Sequence, residues 1–297
     1  MGYVPTVDPS WVGPERLVAL ATPAIEEALE RPSGAPWAAG EARISAYIAL
    51  DQDVAEPRVV RAGLEPVLHR LLPGATVHVE PKGEGALGAA LPELIRSLES
   101  GALDAALVGG VHSDYDPATI RALESSGRLF SRENLDARVP GEAAAFVLLM
   151  RAAHAHRLGF APLAHIVGVG GAEEKIRADN DEPAFRAFGL SAAVRQATAP
   201  LLAAKQTAGW YLVDLTAEMW RLHEWEAVFV RSHRVLGRPY RIEAPAQRLG
   251  YLGAAAMPLF MALAATAWQY GYAPCPTALA TATADRGQRV AMVLQSA

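Results

Sequence analysis

The sequence predicts an α/β protein whose parallel-rich sheet is covered by helices on both faces. Short apolar runs such as ALVGGV and AAAFVLLM have the composition of buried parallel strands. Segments with helical spacing of apolar residues alternate with such runs, which is the order of a βαβ series. The chain has 297 residues, of which 51% are hydrophobic, so it is long enough to bury a large core.

The first half of the chain alternates helices and strands. Residues 14–29 begin with a proline and repeat apolar residues at helical spacing, which predicts an amphipathic helix. A buried strand is predicted over 42–50, a helix over 59–72 and a short alternating strand over 75–79. A helix over 87–100 then ends at Gly101 and leads into a strand over 105–108.

The second half repeats this order without obvious residue identity. Strands are predicted over 164–169, 211–215 and 290–294, and helices over 183–203, 217–236 and 253–270. The repeated order favours a single compact unit of two similar halves, residues 1–158 and 159–297.

Charge and cysteine content exclude several classes of protein. With 27 basic and 32 acidic residues the net charge is −5, so we expect neither nucleic acid nor an anionic membrane as a partner. Cys275 is the only cysteine, which rules out intrachain disulfides and favours a reducing cytoplasm. The N-terminus lacks the pattern of a signal peptide, and the apolar segment 251–268 contains Pro258 and predicts a core helix.

Three motifs follow one another within residues 102–150: SDYDP, SGRLFS and PGEAAA. Their order closely resembles the β-ketoacyl synthase branch of the thiolase superfamily, which works in fatty acid and polyketide biosynthesis. The resemblance is strongest over residues 87–159 and weaker elsewhere. It implies a thiolase-like five-layered αβαβα fold built from two topologically similar halves. It also implies a cysteine nucleophile and two histidines.

The resemblance places these catalytic residues at positions where the chain has other side chains. The nucleophile falls at Glu84, or at Gly83 if the loop differs by one residue. The first histidine falls at Leu215 and the second at Tyr251. The family's lysine falls at Ala246, and its terminal glycine-rich loop becomes ADRGQR, residues 284–289. Without a thiolate no acyl-enzyme can form. The sequence therefore predicts a pseudoenzyme, and only 25 residues, 51–75, stand where the family inserts the segment that walls its acyl tunnel.

A second hypothesis is an acyltransferase, decarboxylase or thioester hydrolase that uses new residues. Glu84, His112, Asp214 and Tyr251 are its candidate acid and base groups, and they must converge on a ligand cavity for it to hold. Glu84 is otherwise a helix-start carboxylate, which Lys82 could neutralise.

Other polar residues are expected to support the fold. Asp114 and Asp116 are expected as turn and cap residues, whereas the resemblance makes Glu142 a buttress and Gly250 part of a retained loop. Trp220 is a candidate to fill the vacated site. Neither a cofactor nor a metal site is expected, since no motif or ligand spacing supports one.

The resemblance also predicts a partner surface, because thiolase-fold enzymes pair a strand across their two-fold axis. The matching strand, from Ala75 to Val79, has no proline or inward charge that would protect an exposed edge. We expect a homodimer, or a heterodimer in which the chain supports an active ketosynthase as chain-length factors do. An acyl carrier protein is a further candidate partner.

Overall fold

The computed structural model describes residues 2–30, 42–176 and 186–297. Its first half contains the helices α1 (Gly13–Glu30), α2 (Pro57–Leu71), α3 (Ala86–Glu99), α4 (Pro117–Ser125) and α5 (Ala152–Arg157). The strands of this half are β1 (Ile44–Leu50), β2 (Thr76–Pro81), β3 (Ala105–Ser113) and β4 (Glu142–Leu149).

The second half contains the strands β5 (Ala164–Glu173), β6 (Ala208–Val213), β7 (Leu236–Glu243), β8 (Thr277–Thr283) and β9 (Gln288–Ser296). Its helices are α6 (Phe188–Ala197), α7 (Ala199–Ala203), α8 (Met219–Arg231), α9 (Ala246–Leu249) and α10 (Ala256–Gln269). Within the described ranges no helix is long and apolar enough to cross a bilayer.

The two sheets share one topology. The first has the order β2-β1-β3-β4, in which only β4 is antiparallel to its neighbour. The second has the order β7-β6-β8-β9-β5, in which β7, β6 and β8 are parallel and β9 is antiparallel. β9 therefore occupies the place of β4, and β5 is an added antiparallel edge strand.

Three apolar clusters show that the helices and sheets form five layers. The central cluster joins α3 and α10 to the inner faces of both sheets, through residues such as Leu91, Phe260 and Met292. A second cluster packs α1 and α2 on the outer face of the first sheet, and a third packs α6 and α8 on the outer face of the second. The predicted thiolase-like αβαβα fold is thus confirmed.

The element predictions need five corrections. Strand β3 continues to Ser113 rather than ending at residue 108, and β7 and β8 were not predicted as strands. The predicted helix over 217–236 ends at Arg231, after which the chain turns into β7. The helix predicted over 183–203 is divided into α6 and α7, and its first residues, 183–185, lie outside the described residues.

Candidate functional site

The polar candidate residues meet where strands of both sheets end. Asp51 follows β1, His112 is near the end of β3, Asp214 follows β6 and Asp285 lies just after β8. In α/β folds, the carboxyl ends of parallel strands are where binding and catalytic groups gather.

Glu84 lies at the start of the central helix, where the resemblance places the nucleophile. It belongs to a single 3-10 turn, Gly83–Gly85, that leads directly into α3, and its side chain is 5% exposed. Its carboxylate accepts a hydrogen bond from the Tyr251 hydroxyl and lies 3.6 Å from a guanidinium nitrogen of Arg221. Burial raises the pKa of Glu84 to about 7, although Arg221 acts in the opposite direction. Lys82 pairs with Glu80 at 3.1 Å, so Arg221 supplies the cation that we had expected from Lys82.

Tyr251 is held by its backbone and by the rings and cations around it. The guanidinium carbon of Arg138 lies 3.7 Å from the centre of the Tyr251 ring. The His112 ring meets the same ring edge-on, with 4.9 Å between the two ring centres. The preceding Gly250 has φ 82°, and a Cβ there would lie 2.5 Å from the carbonyl oxygen of Pro140. Glycine is therefore required for the loop to approach Pro140 and aim Tyr251 at Glu84.

Arg221 is the centre of the cluster, and sequence reasoning missed it. Its guanidinium lies 2.6 Å from Asp214, 3.2 Å from Asp285 and 3.4 Å from Glu218. It also donates to the hydroxyl and carbonyl oxygens of Thr283 at 2.6 and 2.7 Å. The side chain is 1% exposed, so these pairs replace its contacts with water.

His112 lies between two carboxylates. Nδ1 pairs with Asp51, and Nε2 is 3.2 Å from Asp114. Burial alone would lower the pKa of His112, but the two carboxylates outweigh it and raise the pKa to about 10. The ring is therefore an imidazolium at neutral pH, so it cannot accept a proton there.

Asp285 joins the two halves at the rim of the cluster. Its carboxylate is 2.7 Å from Arg128 and 2.7 Å from Arg138, both from the first half. Burial raises its pKa, but Arg221, Arg138 and Arg128 outweigh that effect and hold the pKa below its usual range. Arg128 also pairs with Glu218.

The structure brings four predicted residues together and separates one. Glu84, His112, Asp214 and Tyr251 belong to one connected set of ion pairs and ring contacts. Leu215 instead packs in the outer apolar cluster of the second half. The Trp220 ring lies beside the cluster, 4.5 Å from the guanidinium carbon of Arg221.

The framework residues have distinct partners. Asp116 caps α4 by accepting from the amides of Ala118 and Thr119. Asp114 does not act only as a turn residue, since it is 2% exposed and pairs with His112. Glu142 makes two charged hydrogen bonds to Arg16, at 2.6 and 2.7 Å, and accepts from the amide of Val4.

No metal site is evident among the described residues, since none of their His, Cys, Asp and Glu side chains form a group that could hold an ion. Each carboxylate of the cluster has an arginine or His112 among its partners. The arrangement therefore pairs these charges with one another.

Comparisons with known proteins agree with this fold. Residues 86–155 match the family model for the β-ketoacyl synthase N-terminal domain. Among curated proteins, none matches the chain significantly.

Solved ketosynthase structures resemble the chain throughout its length. A ketosynthase from module 6 of the bacillaene synthase of Bacillus subtilis superposes with TM-score 0.76 at 14% identity, covering 98% of this chain and 61% of that one. A type II PKS ketosynthase in complex with its acyl-carrier protein gives TM-score 0.79 at 15% identity, covering 100% and 87%. The ishigamide ketosynthase/chain length factor superposes with TM-score 0.72 at 16% identity, covering 99% of this chain and 87% of that one.

The chain therefore spans about 60% of the bacillaene module ketosynthase that it resembles. Its structural likeness extends over both sheets, whereas the family match is confined to residues 86–155, from α3 to α5. The chain thus has the thiolase-like fold of the ketosynthases that it resembles.

Proposed function

We propose that the chain is a catalytically degenerate ketosynthase-like protein that acts through association, as a dimeric scaffold or as the partner of an active ketosynthase or acyl carrier system. The observation that carries this proposal is Glu84. A carboxylate stands where the family's nucleophile is expected, and it is committed to Tyr251 and Arg221. A carboxylate so engaged provides no thiolate for an acyl-enzyme.

The neighbouring groups argue against the alternative of an acyltransferase, decarboxylase or hydrolase with new residues. Both ring nitrogens of His112 face carboxylates, and its raised pKa of about 10 keeps it protonated at neutral pH. Asp214 is bound to Arg221 and to the amide of Thr283. These candidate acids and bases thus take each other or buried cations as partners.

The edge strand β2 supports association. β2 pairs with β1 over six consecutive residues without a bulge, and no described strand covers its other edge. β7, the corresponding edge of the second sheet, has a register shift and contains Pro239. Bulges and prolines protect edges from pairing, so β7 has a protection that β2 lacks over residues 76–80.

The relatives indicate which partners to test first. One is described in complex with an acyl-carrier protein, and another is a ketosynthase/chain length factor. We therefore propose that β2, which overlaps the predicted strand from Ala75 to Val79, pairs either with a second copy of this chain or with a ketosynthase.

Light scattering of the purified chain tests the homodimer. For the wild type we expect about twice the chain mass of 31.5 kDa. In Val79→Lys the mass should shift toward that of the monomer, because the substitution places a positive charge on the edge strand of each copy. Val230→Lys is the matched control, since Val230 is 72% exposed on α8. A wild-type monomer that also fails to associate with a co-expressed ketosynthase or carrier protein would contradict the proposal.

Intact-mass spectrometry tests the absence of catalysis. After incubation with acyl-CoA and acyl carrier thioesters, we expect no acyl adduct and no product above the rate without protein. Cys275→Ser controls for adventitious acylation of the single thiol. Turnover that is abolished by Glu84→Gln would refute the proposal and favour a new catalytic use of the site.

A further inference from the structure

An open apolar groove lies on the outer helical layer of the first half, separate from the polar cluster. Its volume is about 990 Å³. The N-terminal segment contributes Val4, Val7 and Trp11, α1 contributes residues from Pro14 to Glu27, and α2 contributes Val59 and Gly63. A concave apolar surface of this size suits the side chains of a bound segment.

The groove follows one face of α1. Lining residues extend from Glu15 to Glu27, which at 1.5 Å per residue is about 18 Å, or roughly three turns of a bound helix. On one side α1 and α2 touch, because a Cβ on Gly63 would lie 2.7 Å from Val18. The groove is therefore bordered by α2 on one side and the N-terminal segment on the other.

Exposed apolar side chains border this groove. Trp11 is 43% exposed and Val59 is 48% exposed, and both line it. Single exposed apolar residues are ordinary on protein surfaces. Here they come from different segments and face one concavity, which is typical of an interaction site.

The charges at the groove select the kind of partner. Glu15 and Glu27 line it near opposite ends and form no ion pair with any described residue. The nearby carboxylates Glu26 and Glu65 are each paired with an arginine, whereas Glu15 and Glu27 remain available to a cationic partner.

We propose that this groove binds an amphipathic helix of another protein, with an apolar stripe flanked by lysine or arginine residues. The helix would lie along α1, place its stripe between Trp11 and Val59, and pair its cations with Glu15 and Glu27. A second copy of the same groove is a poor occupant, because a two-fold contact would bring these carboxylates together. The same carboxylates disfavour an anionic lipid surface.

Fluorescence anisotropy with a labelled 16-residue amphipathic Leu/Lys peptide tests the proposal. We expect micromolar binding at 50 mM NaCl that weakens at least tenfold in Val59→Glu, which introduces a charge at the apolar contact. Val230→Glu, an equally charged change at an exposed valine on α8, should leave affinity unchanged. The double variant Glu15→Lys/Glu27→Lys should bind several-fold more weakly and with less dependence on salt.

Three results would overturn the proposal. One is no binding of the Leu/Lys peptide at millimolar concentration, and another is equal affinity for a Leu/Glu peptide of the same pattern. The third is binding that emerges only when residues 31–41 are replaced by a Gly/Ser linker, which would assign the groove to the chain's own segment. None of these outcomes depends on strand β2 or on the identity of residue 84.

Discussion

Replacing Glu84 by glutamine should change how stability depends on pH. Burial raises the pKa of Glu84 from 4.5 to about 7 in the folded protein. Glutamine keeps the shape of the side chain and an oxygen that can accept from the Tyr251 hydroxyl, and it removes the ionisation. The comparison therefore isolates the cost of a buried negative charge.

The sign and size of the effect follow from this pKa. Because the folded-state pKa is raised, the protonated carboxyl stabilises the fold fully below pH 4.5, and this contribution is lost as pH rises through about 7. Each pKa unit corresponds to about 1.4 kcal/mol, so the full loss is roughly 3 kcal/mol. The free energy of unfolding of Glu84→Gln relative to that of the wild type should therefore be about 2 to 3 kcal/mol higher at pH 8 than at pH 5.

Urea unfolding followed by circular dichroism at pH 5 and pH 8 measures this difference. Glu124→Gln is the matched control, because Glu124 is exposed on α4 and has no ion pair among the described residues. Its stability difference from wild type should be the same at both pH values. A Glu84→Gln difference that is equally independent of pH would refute the reasoning, since it would show that Glu84 ionises without cost.

The remaining predictions concern the partners of this carboxylate and one helix cap. Arg221→Met should lower the free energy of unfolding in urea by about 3 to 5 kcal/mol, because it leaves buried carboxylates unpaired. Arg61→Met removes an exposed ion pair and should lower it by under about 1 kcal/mol in the same assay. His112→Asn should lower the free energy of unfolding, measured in urea at pH 7, by about 3 to 5 kcal/mol, because the raised pKa keeps wild-type His112 charged at that pH. The stabilisation by the charged ring is complete below pH 6.5 and is lost as pH rises through about 10. Asp116→Ala should lower stability by about 1 kcal/mol through loss of the α4 cap, and calorimetry should show a fall in Tm of about 2 °C.

The fold could be predicted largely from local patterns, and its missed strands have local causes. β8 reads TALATAT, whose small residues resemble a helix as much as a strand. β7 reads LGRPYRIE, in which Gly237 and Pro239 signal a loop, and its pairing with β6 indeed shifts register.

Strand β3 shows how tertiary contact overrides a local signal. Gly109 and Gly110 suggest the end of a strand, yet both remain paired within β3. A Cβ on Gly109 would lie 2.0 Å from the Phe146 ring, and one on Gly110 would lie 2.1 Å from the carbonyl oxygen of Ala254. These glycines permit close packing inside the sheet, which depends on residues far along the chain.

The site could be predicted only in part. Resemblance located Glu84 and Tyr251, because motif order aligns their surroundings. It gave no signal for Arg138 or Arg221, since neither lies in a motif and each has a partner that is distant in sequence. Arg221 pairs with Asp285, 64 residues later, and Arg138 pairs with the same carboxylate from the other half. A set of contacts across two halves has no sequence period that could reveal it.

The contacts within the cluster explain why a cysteine at position 84 alone would leave other members of the cluster without their partners. The Tyr251 hydroxyl donates to Glu84, and Arg221 lies beside that carboxylate while holding Asp214 and Asp285. A cysteine at position 84 would leave the buried Tyr251 hydroxyl without its charged acceptor, and Arg221 with less negative charge nearby. Because a partly satisfied buried polar network is more costly than a complete one, the members of the cluster depend on each other. The polar cluster thus stabilises itself as a unit, and its charged groups lie where strands of both sheets end.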